Sequence, residues 1–169
     1  MATIRRYTTK GGDTLWRVRY RTPDNRQTDK RGFTTKRDAE RWANRIEVDK
    51  LDGAYVAPSM GRATVGDLGP GWLDRQRGHM KPSGFRTYES SWRVHVLPYW
   101  GNRRIADIRF SDVQAWVAGL STELSPSMIA NTYSVLRRIL DDAVRDRRLA
   151  ANPAQGVKLP KRKPPHNIY

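Results

Sequence analysis

Between residues 14 and 22 apolar and cationic side chains alternate: Trp16, Val18 and Tyr20 against Arg17, Arg19 and Arg21. A period of two puts the sets on opposite faces of a strand, one apolar and the other lined with guanidinium groups. Residues 3–8 read as a strand before it, joined across Lys10-Gly11-Gly12-Asp13, a glycine pair suited to a tight hairpin. After the Pro23-Asp24-Asn25 turn, residues 27–33 make a third strand in which Thr28 and Lys30 alternate against Arg31 and Phe33. The period then becomes helical. Thr35 is the expected cap, with Asp38 as a weaker form of the capping-box acid; Ala39, Trp42, Ala43 and Ile46 form the apolar stripe and Gly53 ends it. A three-stranded sheet needs one face covered to be stable, and this helix supplies the cover.

Residues 54–63 have no period and contain Pro58 and Gly61, which reads as a linker. Beyond them the pattern is helical throughout. Thr64 and Asp67 resemble a cap ahead of Val65, Leu68, Trp72 and Leu73, but Gly69-Pro70-Gly71 in the early turns weakens that helix or kinks it. A second helix is expected over residues 82–97, buried along Phe85, Tyr88, Trp92 and Val96 and closed by Pro98 and Gly101. Its outward side shows Arg86, Thr87, Ser90 and Arg93. Ser111 is the expected cap of a third helix, with Val113, Trp116, Val117 and Leu120 buried. The fourth starts at Ser125-Pro126, buries Ile129, Tyr133, Leu136, Leu140 and Ala143, and is expected to run until Asn152-Pro153 stops it. Its outer side carries Asn131, Ser134 and Arg138. Four short amphipathic helices can bury one bundle, with Trp72, Trp92, Trp100 and Trp116 as packing residues.

The fold class that follows is α+β: a small three-stranded antiparallel sheet with one helix, then an all-α four-helix domain. The expected boundaries are 1–53 for the first unit, 54–63 for the linker, 64–157 for the helical unit and 158–169 for a basic, proline-punctuated tail.

Charge narrows the function. Among 169 residues, 32 Lys and Arg stand against 17 Asp and Glu, a formal +15 spread over both halves. Such an excess points to a polyanionic partner, most often nucleic acid. With no cysteine, neither disulfides nor thiolate metal sites hold the fold. His79, His95 and His166 are scattered, without carboxylates at metal or acid–base spacing, and no phosphate-cradling glycine loop occurs, so no cofactor is expected.

Four phrases, GFTTKRDAERWA, VLPYWGNRRIADIRFSDVQAW, VLRRILDDAV and LAANPAQGVKLP, occur in the order in which phage tyrosine integrases carry similar ones. By that resemblance the first unit is an arm-type DNA-binding domain, similar to a plant ethylene-response DNA-binding fold, whose sheet enters the major groove. The second is the SAM-like core-binding domain, and a catalytic domain would follow the tail. The GPG run departs from the family's smooth first helix. The resemblance implies double-stranded DNA as partner, at arm-type and core-type attachment sites. It also implies other integrase protomers, a DNA-bending host factor and a directionality factor. No long apolar run or signal peptide occurs in the sequence, so a place in the host cytoplasm, at the nucleoid and with no membrane, is expected. DNA contacts are expected from Arg5, Arg17, Arg19, Arg21, Thr28 and Lys30 in the first unit. The helical unit would add Arg86, Thr87, Ser90, Arg93, Asn131, Ser134 and Arg138, and the tail Lys161 and Arg162. None of the family's catalytic set can be placed in this sequence, and the terminal Tyr169 lacks the nucleophile's motif, so the chain is expected to supply address rather than chemistry. A stand-alone regulator using the same basic faces on one operator is the alternative, and an RNA-binding protein a weaker one.

Overall fold

The computed structural model describes residues 1–161 and divides into two compact units, Met1–Ala57 and the remainder from Pro58. The sheet unit is an antiparallel meander of β1 (Thr3–Thr8), β2 (Thr14–Arg21) and β3 (Gln27–Phe33), with β2 central. The first hairpin closes through the Thr9 amide on the Asp13 carbonyl (2.9 Å), the second through the Thr22 amide on the Arg26 carbonyl (2.9 Å). Helix α1 (Lys36–Leu51) is capped by Thr35, whose hydroxyl accepts the Asp38 amide at 3.1 Å and donates to the Asp38 carboxylate at 2.7 Å. It lays Ala39, Trp42 and Ala43 on Trp16, Val18 and Phe33. Trp42 meets Tyr20 edge-on at 5.2 Å and Phe33 at 5.7 Å, so aromatic rings make most of a core too small for aliphatic layers. Tyr55, just past α1, brings its hydroxyl to 3.1 Å from that of Tyr20 and belongs to this unit.

In β3 the structure corrects the sequence reading. Arg17 pairs with Arg31 but Trp16 pairs with Phe33, so β3 holds one extra residue at Gly32, whose φ is +94°. A bulge of this kind favours glycine at the positive φ and reverses the side-chain parity beyond it. Phe33 therefore joins Trp16 on the covered face while Arg31 joins Arg17 on the open one. Thr28 and Lys30, in register with Tyr20 and Val18, lie on the helix side, and the Lys30 ammonium sits 5.6 Å over the Trp42 ring.

In the second unit Thr64 and Asp67 form a full capping box: the Asp67 amide donates to the Thr64 hydroxyl at 3.1 Å and the Thr64 amide to the Asp67 carboxylate at 2.8 Å. Residues 58–63, on the expected linker, pack with this unit; the Ala63 carbonyl accepts the Ile105 amide at 2.9 Å. Helix α2 (Val65–Arg77) continues through Gly69-Pro70-Gly71, and the glycine at 69 has a steric reason. A Cβ on Gly69 would stand 1.9 Å from Cη2 of Trp92, so the indole occupies the space a side chain would need.

The second helix does not stop at Pro98. Helix α3 (Pro82–Ser91) passes through a wide turn, Trp92–Val96, into α4 (Leu97–Trp100), and the Gly101 amide closes it on the Leu97 carbonyl at 2.9 Å. The Leu97 amide bonds five residues back, to Trp92, and this π geometry gives the proline ring the room that a regular turn denies it. Helix α5 (Phe110–Leu120) starts after Arg109, not at Ser111, because the Asp112 carboxylate accepts the Arg109 amide at 3.3 Å. Helix α6 (Pro126–Arg145), capped by Ser125, ends well before Asn152-Pro153. Arg147 turns left-handed (φ 55°) and the Arg148 amide returns to the Ala143 carbonyl at 2.8 Å, the hydrogen-bond pattern of a Schellman stop. Asn152 instead folds the following segment back, donating to the Arg137 carbonyl (2.9 Å) and Asp141 (2.6 Å), while the Tyr133 hydroxyl donates to the Ala154 carbonyl at 2.5 Å.

The core of this unit runs through Trp72, Trp92, Trp100, Trp116, Leu136 and Leu140. Among the described residues no helix is long and apolar enough to cross a membrane.

Candidate nucleic-acid interface

The uncovered face of the sheet follows from the strand register. Arg5 on β1, Arg17 on β2 and Arg31 on β3 stand side by side across all three strands; the next row is Thr3, Arg19 and Asp29. A row of three arginines would repel itself. Asp29 relieves that. Its Oδ1 accepts Nε of Arg19 at 2.9 Å and its Oδ2 accepts Nη2 of Arg19 at 3.4 Å. Nη2 of Arg31 lies at 3.5 Å and Nη1 of Arg17 at 3.8 Å from the same Oδ2. The hydrogen bonds from Arg19, with the charges of all three arginines, hold the Asp29 carboxyl below the usual carboxylate range against a smaller opposing effect of burial. Arg21 is engaged differently, donating from Nη1 to the Asn25 side chain at 3.0 Å.

Of the six positions expected to touch DNA in this unit, Arg5, Arg17, Arg19 and Arg21 share the open face, while Thr28 and Lys30 are on the covered one. Sequence reasoning missed Asp29 and Arg31. The signal that could have found them is Gly32, since a glycine inside a strand pattern marks a bulge and with it a change of parity.

In the helical unit Arg86, Ser90 and Arg93 are exposed on the side of the α3–π-turn segment away from the buried Ser91, Trp92 and Val96. The Thr87 hydroxyl is spent on the Ser83 carbonyl at 3.2 Å, and Arg93 lies 3.4 Å from Glu89 one turn earlier. On α6, Asn131 and Ser134 are half-buried and Arg138 is exposed. The Arg138 guanidinium stacks 5.5 Å from the centroid of Tyr88, and this contact brings the α6 stripe against α3. Among the described residues Arg138 has no carboxylate partner, whereas its neighbour Arg137 is tied to Asp141 at 3.3 Å and Arg75 of α2 to Asp142 at 2.9 Å. The α6 stripe thus gives way to carboxylates one turn after Arg138. Lys161 is exposed at the end of the described residues, and Arg162 lies outside them.

The protein-family models divide the chain at the same place. Residues 3–50 match the arm DNA-binding domain and residues 64–121 the phage integrase N-terminal SAM-like domain. The prophage phiRv2 integrase of Mycobacterium tuberculosis is 30% identical over 148 residues, which cover 83% of this chain and 38% of that protein. An integrase of Streptomyces ambofaciens is 27% identical over 146 residues, covering 84% and 36%. The chain therefore spans well under half the length of these relatives. Among solved structures, the integrase-like domain from Bacillus cereus superposes with a TM-score of 0.58 at 21% identity, over 64% of this chain and 93% of that one. A lambda integrase dimer bound to a COC' core site gives 0.56 at 16% identity, over 94% and 45%. At such identities the two structures speak for the fold alone. With an arm DNA-binding domain followed by a SAM-like domain, and integrases as its relatives, the chain belongs to the phage tyrosine integrases and corresponds to their amino-terminal portion.

Proposed function

We propose that this chain is the addressing portion of a site-specific tyrosine recombinase, with the sheet unit holding arm-type DNA and the helical unit core-type attachment-site DNA. The observation that carries the reading is the open sheet face, where arginines from all three strands stand in register and the covering helix lies on the other side. A two-dimensional array of forked cations on a sheet suits a groove with phosphates at its rims and base edges on its floor. In the helical unit the Asn131–Ser134–Arg138 stripe, with Arg86, Ser90 and Arg93, would follow the backbone of a second site. Two addresses on one chain make the second binding event intramolecular, which raises the local concentration of one unit near its site once the other is held. Other integrase protomers, a DNA-bending host factor and a directionality factor would complete the assembly.

The test is footprinting of the intact chain on duplexes spanning the ends of the genetic element that encodes it. Alanine at Arg17, Arg19 and Arg21 together should erase one set of protected sites and spare the other, and alanine at Asn131 and Arg138 should do the converse. Equal loss at every site under either variant would refute the two-address reading and favour a single-operator regulator.

A further inference from the structure

Building on the DNA-binding role proposed for the sheet, we infer that Asp29 is a specificity-determining residue, which holds Arg19 as the reader of a guanine in the major groove. A guanidinium offers five donors along three edges. Asp29 takes the edge made by Nε and one hydrogen of Nη2, at 2.9 and 3.4 Å. That leaves Nη1 and the outer hydrogen of Nη2, the end-on fork whose two parallel donors match O6 and N7 of guanine. An arginine gripped along its side edge has lost its rotamer freedom before DNA arrives, so less ordering is required on binding.

The other arginines of the face are not held this way. Arg17 reaches Oδ2 at 3.8 Å without a hydrogen bond to it, and Arg31 makes a single 3.5 Å contact from a more exposed side chain. Arg31 keeps the freedom that suits phosphate contacts, which fix register without reading sequence, whereas Arg17, with its Nε buried and 26% of its side chain exposed, is partly withdrawn from the face.

The position of the carboxylate supports the same conclusion. Asp29 eases the repulsion among the arginines in the free protein, but toward phosphate alone it is a cost, because its charge repels the backbone it meets. Asp29 is largely covered, with 17% of its side chain exposed, and its arginine neighbours keep it ionised through the neutral range. It is therefore an acceptor that never donates. Above base edges that property fits a G·C pair, where the cytosine N4 amino group offers a donor beside the guanine acceptors. The sequence alone hides the pair, since Arg19 and Asp29 come together through the β2–β3 register.

The experiment uses the full chain and a random duplex library, with selected duplexes then remade with 7-deazaguanine, which lacks the N7 acceptor, at each guanine in turn. For the unmodified chain, one position should weaken binding by about tenfold or more. Asp29→Asn should lose most of that penalty while binding unselected duplexes as tightly or more tightly, because an anion has been removed. Arg19→Lys keeps the charge but not the fork; it should lose the penalty with its salt dependence unchanged, and it answers the question even if Asp29→Asn folds poorly. Arg17→Lys should keep the penalty. Selection without any guanine dependence, a full penalty retained by Asp29→Asn or Arg19→Lys, or an equal loss on all duplexes would overturn the inference. A separate failure is readable: if alanine at Arg17, Arg19 and Arg31 together leaves DNA binding unchanged, the sheet is not a DNA-binding face and the proposed function fails with it.

Discussion

Replacing Gly69 with alanine tests how tightly the helical unit is assembled, because glycine-to-alanine changes within a helix ordinarily stabilise. Alanine is favoured over glycine in a helix interior by about 1 kcal/mol. At Gly69 that gain meets a clash: the new Cβ would lie 1.9 Å from Cη2, 2.3 Å from Cζ2 and 2.4 Å from Cζ3 of Trp92, where carbon atoms normally rest about 3.5–4.0 Å apart. The indole would have to retreat by about 1.5–2 Å. It is 5% exposed and lies in the π turn that lets the helix pass Pro98, so no empty space receives it. Overpacking of this kind costs about 1–3 kcal/mol and sometimes more, and rigid overlap with a ring belongs at the upper end. After the propensity gain, a net loss of about 2 kcal/mol is expected, or a Tm lower by roughly 8–16 °C for a domain of this size. Two glycines provide the contrast. Gly119 of α5 has nothing within 4 Å of the added Cβ, and at Gly71 of α2 the nearest atom is Nη1 of Arg75 at 3.6 Å. Both alanines should stabilise by about 0.5–1 kcal/mol. Thermal and urea unfolding of the three variants, followed by circular dichroism, makes the comparison. If Gly69→Ala matched the other two, Trp92 would not be packed against α2 at Gly69.

Arg147→Gly should stabilise by about 1 kcal/mol, seen as a higher urea midpoint, since Arg147 is exposed and left-handed (φ 55°) at the end of α6 where glycine carries no Cβ penalty. Tyr133→Phe should cost about 1–2 kcal/mol by leaving the buried Ala154 carbonyl without its donor, and hydrogen exchange should rise over residues 147–158. The Asp67 carboxyl is held below its ordinary value of 3.8 by the Thr64 amide and then the Thr64 hydroxyl, so the stability it confers is complete above that value and is lost as pH falls through the lower folded one. The Tm difference between the wild type and Asp67→Asn should accordingly be full at pH 6 and shrink below pH 4; a difference constant with pH would refute the assignment.

How far the sequence could be read depended on whether the deciding interaction was local. The alternation in β2 and the apolar stripe of α6 repeat over several residues, and burial follows them directly: Val18 and Tyr20 are buried between arginines, and Ile129, Tyr133, Leu136 and Leu140 line one side of a long helix. Where one residue changes the phase, the reading failed. The bulge at Gly32 moved Thr28 and Lys30 to the covered face, and no period within a seven-residue strand reports that. Proline misleads in both directions. Pro98 did not end its helix, because a π turn made room for it, and Pro153 did not end α6, because Arg147 had already done so. Gly69 of the GPG run, a weakness by helix propensity, accommodates an indole 23 residues later, which no local rule contains. The arginines of the first unit were legible as a set. Their ranking was not, since it rests on which one a carboxylate from the next strand grips.

That ranking bears on how a net charge of +15 should be understood. Unpaired surface cations would each displace counterions from DNA and give affinity that is steep in salt and indifferent to sequence. Here the cations nearest the proposed interfaces are already sorted. Arg19 is held by a carboxylate in a direction, Arg138 is laid on the Tyr88 ring, and Arg75 and Arg137 are tied down by Asp142 and Asp141. A cation that meets DNA while keeping its own carboxylate adds less to counterion release than a free one. The salt dependence should therefore be shallower than the charge count suggests. What the carboxylates subtract from non-specific attraction they return as orientation, and orientation is what separates one base pair from the next.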